Sequence, residues 1–128
     1  MLKIDIKTIP HSRQRYDTVG DWFNRGSKEV ILISDMDDWR YEFLVAFHEL
    51  IEKKLCEQSG ITEEQVTSWD LNFEDLRKKG AHSDTEEPGD DPDAPYSKQH
   101  TTATIMEQMM AKELGVDWES YENKVNSL

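Results

Sequence analysis

The sequence predicts an α+β fold in which a small N-terminal antiparallel sheet is followed by four helices. Three observations predict it. β-Branched and aromatic residues gather into short runs before residue 35. From residue 38 onward the apolar residues recur at spacings of three and four, the period of a helix. The one long Pro- and Asp-rich stretch, residues 80–95, interrupts the helical part rather than dividing the chain. A chain of 128 residues suits one domain, 1–128, with the sheet in 1–35 and the helices in 38–127 around the loop at 80–95.

In the first strand Leu2, Ile4 and Ile6 alternate with Lys3, Asp5 and Lys7, the period-2 pattern of a strand with one face covered. Pro10 ends it. Residues 16–23 read as a second strand, Asn24-Arg25-Gly26-Ser27 as a turn, and Val30-Ile31-Leu32-Ile33 as the returning strand. Asp37 or Asp38 can cap a helix that runs to Cys56–Gln58 and stops before Gly60, with Phe43, Phe47 and Leu50 expected in the core. Thr62 opens the next helix, whose stripe is Val66, Trp69, Phe73 and Leu76, and Gly80 closes it. A third helix covers 97–114 and ends at Gly115. The last starts at Asp117 and packs through Trp118, Tyr121 and Val125.

The charge excludes some functions. Fifteen basic against 27 acidic residues leave a net charge of −12, which disfavours nucleic acid or an anionic membrane as a partner reached through a basic surface. The N-terminus interleaves charges and lacks the apolar core of a signal peptide. The single cysteine, Cys56, rules out an intrachain disulfide and fits a reducing, cytoplasmic compartment. A hydrophobic content of 36% allows a modest core, which a bound metal would reinforce.

The chemistry-bearing segment is His48-Glu49-Leu50-Ile51-Glu52. On a helix, His48 and Glu52 lie one turn apart on the same side, so that one ion can bind both. An imidazole and a carboxylate suit zinc, with manganese or iron as alternatives. Glu49 is rotated about 100° from His48, beside the ion, where a general base belongs. On the third helix His100 and Glu107 share a face with the small residues Ala103 and Thr104 and therefore point inward. The reading is thus His48, Glu52 and His100 as metal ligands and Glu49 as the catalytic base. Glu107 lies two turns from His100 and is expected to support a ligand. Asp70, beside the apolar stripe of the second helix, is an alternative ligand. The acidic loop leads directly into the helix of His100 and is expected to rim the site. Cys56 lies one turn beyond Glu52 as a soft donor, and His11 and His82 read as surface or packing residues.

Residues 43–52, with their His-Glu-x-x-Glu motif, resemble the zincin-like metallopeptidases. The resemblance implies a zincin-like fold with His48 as ligand and Glu49 as base. The chain departs from that family at Glu52, which stands where the family has a second histidine. Over nearly its whole length the chain also resembles small bacteriophage and prophage proteins of no settled activity. That likeness is carried by His48–Glu52, by Glu87-Pro88-Gly89-Asp90-Asp91-Pro92 and by Ala94-Pro95-Tyr96 leading to His100. It implies a phage setting in the cytoplasm of a bacterial host. Two further readings compete with a metal-dependent hydrolase. One is an acidic phage protein that binds a host factor and uses a metal for stability. The other is a Mg-dependent nucleotide pyrophosphatase, suggested by Glu49-x-x-Glu52.

Overall fold

The computed structural model describes residues 1–128. Its elements run β1 (Ile4–Ile9), a 3₁₀ turn at His11–Arg13, β2 (Gly20–Arg25), β3 (Lys28–Ser34), α1 (Trp39–Gln58), α2 (Glu63–Lys78), a second 3₁₀ turn at Pro88–Asp90, α3 (Ser97–Glu113) and α4 (Trp118–Asn126). The architecture is α+β, as expected, but the sheet is mixed. β3 lies in the middle, antiparallel to β2 and parallel to β1. The β2–β3 hairpin closes over Gly26-Ser27, where Gly26 adopts φ 62°, a conformation that favours glycine. β1 joins the opposite side of β3 in the same direction, after the chain has travelled through residues 10–19. Alternation in a single strand reports which face is covered and carries no information on the direction of its neighbour, so the expected antiparallel sheet is corrected here.

The second strand begins later than expected, at Gly20. Residues 14–18 instead run beside it and tie it down. Arg15 forks onto the buried Asp21 through Nε and an Nη at 2.7 and 3.0 Å.

Three of the four helices, α1, α2 and α4, start on side-chain caps. The Asp38 carboxylate accepts from the Arg40 N–H, Thr62 and Gln65 cap each other reciprocally, and the Asp117 carboxylate accepts from the Ser120 N–H. α1 is the central element, packed on one side against β2 and β3 and on another against α3. Its buried residues are Leu44, Val45, His48, Glu52, Lys53 and Cys56. The expectation for Phe43, Phe47 and Leu50 is therefore corrected: Phe43 is exposed, and the other two are half-buried. α1 turns its most polar side inward because that side meets both the sheet and α3. The stripe of α2 is rotated too, with Asp70 and Glu74 buried beside Val66 and Phe73 while Leu76 is exposed. No helix is long and apolar enough to cross a membrane.

Candidate metal centre

α3 packs closely against α1 because Ala103 and Ala111, both fully covered, put only methyl groups between them. That approach brings His100 to the pair formed by His48 and Glu52. The three donors converge. His48 Nε2 lies 3.1 Å from Glu52 Oε2 and 3.2 Å from His100 Nδ1, and His100 Nδ1 lies 2.9 Å from Glu52 Oε2. All three side chains are buried. Ligand atoms bonded to a tetrahedral zinc at about 2.0–2.1 Å are separated from one another by about 3.3 Å. The triangle formed by these atoms is close to one face of such a tetrahedron.

Each donor is oriented by a further partner. The Nδ1–H of His48 donates to Glu107 Oε1 at 2.7 Å, which leaves Nε2 as the inward lone pair. Glu107 is held in turn by the Tyr121 hydroxyl, which donates to its Oε2 at 2.6 Å. The Nε2–H of His100 faces Glu87 Oε2 at 2.9 Å and Asp90 Oδ1 at 3.1 Å, leaving Nδ1 inward. The indole N–H of Trp22 donates to Glu52 Oε1 at 3.0 Å and turns Oε2 toward the histidines. Carboxylate–histidine pairs of this kind fix the tautomer and raise the basicity of a metal-binding imidazole. Gly89 lies flat against the His100 ring, where a Cβ would come within 2.4 Å of the imidazole Cγ.

Three lone pairs this close repel unless protons or a cation lie between them. Burial alone would lower the pKa of His48, but Glu107 and Glu52 outweigh it and hold the ring well above its ordinary value. His100 behaves alike: burial opposes its charge, yet Asp90, Glu52 and Glu87 push it up to about 12. Burial would raise Glu52, but the two histidines bring it down to about 2. The centre therefore attracts positive charge from every side.

A cavity of about 420 Å³ opens beside the cluster, with Tyr16, Gly20, Glu49, Asp70 and Thr104 among its walls. Glu49, about a quarter-turn around α1 from His48, lines this cavity without a hydrogen bond or ion pair. Burial and the neighbouring Glu52 charge raise its pKa well above the carboxylate range, and no hydrogen bond offsets them. Its side chain rests against the backbone of Gly20, where a Cβ would meet Glu49 Oε1 at 2.7 Å.

The cluster contains His48, Glu52 and His100 but not Asp70. Asp70 lines the same cavity, where it accepts from the Tyr16 hydroxyl at 2.8 Å and from the Tyr96 hydroxyl. Both its oxygens are engaged, so the alternative of Asp70 as a ligand is set aside. Cys56 is fully buried, its thiol pushed up to about 12 by burial, and it lies outside the cluster. His11 bridges Ser34 and Asp17, and His82 stacks on Phe73. The sequence reading missed Trp22, Tyr121, Glu87 and Asp90 as individual partners. For the last two a signal existed, because they lie in the loop that leads straight into His100.

No protein-family model matches this chain, and no curated protein or solved structure matches it significantly.

Proposed function

We propose that the chain is a metal-dependent hydrolase. Zinc is the preferred ion, with manganese or iron as alternatives. The ion is held by His48, Glu52 and His100, and Glu49 serves as general base. The observation that carries this reading is the convergence of three separately oriented donors within 3.2 Å of one another, next to a cavity whose wall includes the Glu49 carboxylate. Two imidazoles and one carboxylate form the donor set of a class of catalytic zinc sites that keep a fourth position open. Relative to the zincin-like motif, a glutamate and a histidine have exchanged places between α1 and the later helix, so the donor types are unchanged. A bound cation would polarise a substrate carbonyl and acidify a water molecule. Glu49, on the wall of the cavity, would take up the proton of an attacking water and return it to the leaving group. The substrate class that fits is a peptide or related acyl compound. The setting proposed with this reading, from the sequence resemblance alone, is the cytoplasm of an infected bacterium.

A structural metal in a protein that binds a host factor is the second reading, favoured by the burial of all three donors. The pyrophosphatase reading gains no support, because Glu87 and Asp90 face His100 instead of completing an acidic cage with Glu49 and Glu52.

The test compares two variants of untagged protein by elemental analysis and by turnover of a panel of fluorogenic peptides and esters. His48→Ala should lose the ion. Glu49→Gln should retain ion and fold while hydrolysis drops by about 10²–10⁴-fold, the usual contribution of a general base. Loss of the ion in Glu49→Gln as complete as in His48→Ala would make Glu49 a ligand and overturn its assignment. An ion retained in wild type with no hydrolysis across the panel would favour the structural reading.

A further inference from the structure

The face of α1 opposite the metal centre carries Trp39, Phe43 and Phe47 at successive turns, with Leu50 beyond them. Trp39 is 66% exposed and Phe43 42%, the rings of Phe43 and Phe47 stack at 6.1 Å, and Ile6 of β1 beside them is 48% exposed. Together with Ala46 and Ile33 these side chains line an open apolar groove between α1 and β1. Large apolar side chains grouped in this way mark an association surface. The groove borders a bare sheet edge. β1 bonds to β3 on one side only, and nothing in the chain pairs with the other side. The opposite edge of the sheet is better covered, since the Asn24 N–H of β2 donates to Glu63 at the start of α2.

We propose that β1 pairs antiparallel with β1 of a second copy, joining two sheets into one of six strands and closing the two grooves against each other. The sequence of β1, Ile4-Asp5-Ile6-Lys7-Thr8-Ile9, selects the register. Pairing Ile6 with Ile6 of the second copy places Asp5 opposite Lys7 twice, once on each side of the twofold axis. Sliding by two residues one way sets Asp5 against Asp5, and sliding the other way sets Lys7 against Lys7. A slip of one residue would carry the second α1 to the opposite face of the sheet. One register therefore keeps both helices on the same side and satisfies the charges, with the aromatic stripes facing across the seam. Self-complementarity of this kind is what a twofold interface requires, and opposite charges stabilise such cross-strand pairs where like charges oppose them. The proposal is independent of the hydrolase reading.

Sedimentation of the full chain over a range of micromolar concentrations tests it. Wild type should run at twice the chain mass. Lys7→Asp and Asp5→Lys each set like charges opposite one another twice and should weaken the dimer by about ten-fold or more. The double variant restores complementarity with the signs exchanged and should recover wild-type association. All three change exposed or half-exposed side chains, and a circular dichroism melt verifies that each is folded. A wild-type monomer throughout the range would overturn the proposal. So would a dimer indifferent to the single changes, or a double variant no tighter than the singles.

Discussion

At Asp70 two tyrosine hydroxyls meet one buried carboxyl, and burial wins. Removal from water lifts its pKa to about 7 despite the hydrogen bonds from Tyr96 and Tyr16, which act the other way. The sign of the consequence follows from linkage. A carboxyl that keeps its proton longer in the folded chain contributes stability fully present below its ordinary value near 3.8, lost as pH rises through about 7. Asp70→Asn has no proton to lose there. The stability of wild type relative to Asp70→Asn should fall across this window, by up to about 1.4 kcal/mol per pH unit. Urea denaturation of both proteins at several pH values between 4 and 8 measures it. A difference that stays flat with pH would show that Asp70 is ionised throughout. Part of the site was legible at this scale. His48 and Glu52 could be read because helical spacing sets them one turn apart on the same side, and His100 and Glu107 because they share a face with small residues. Trp22, Tyr121, Tyr16 and Tyr96 could not, because an aromatic residue in a sequence reads as packing. Its N–H or O–H acquires a partner only when distant segments meet.

Secondary structure could be read further than its packing. The ends of the helices fall within two residues of the expected ones because Asp38, Thr62 and Asp117 cap the starts of α1, α2 and α4, and Gly60, Gly80 and Gly115 follow α1, α2 and α3 at positive φ. The sides they bury were harder to read. The apolar stripe of α1 looks like a core face, yet the sheet and α3 both bear on the side carrying His48, Glu52 and Cys56. The turn at Pro88–Asp90 shows how a short loop can act with precision. Gly89 is needed for space, since only a residue without Cβ lets the loop lie on the His100 ring while Glu87 and Asp90 reach Nε2. In Gly89→Ala the ring or the loop must move, and overpacking of this kind costs about 1–3 kcal/mol. Zinc titration of Gly89→Ala should show affinity reduced by about ten-fold or more, as for other losses of support to a ligating histidine. Affinity equal to wild type would show that His100 tolerates displacement or does not bind the ion.

On the scale of the whole molecule the donor cluster adds a polar link between elements that also share the apolar core. Trp22 reaches it from β2, His48 and Glu52 from α1, His100 and Glu107 from α3, and Tyr121 from α4. An ion bound there should stabilise the entire domain. At a free concentration one hundred times its dissociation constant it adds about 2.7 kcal/mol. For a domain of this size that raises the melting temperature by on the order of 10 °C. Calorimetry before and after chelation, with zinc added back, measures the shift. An unchanged melting temperature after the ion has been removed, shown by elemental analysis, would exclude a linkage between metal and fold.

The grip of Tyr121 on Glu107, and through it on His48, also orders events in time. A polypeptide emerging from the ribosome displays His48 and Glu52 early, when neither His100 nor the residues that orient it have been made. The full set of contacts cannot form until the segment around Tyr121 has been synthesised and docked on Glu107. A nascent chain that has not yet reached Tyr121 therefore carries donors without a complete cage, and any activity that depends on the cage waits for that segment.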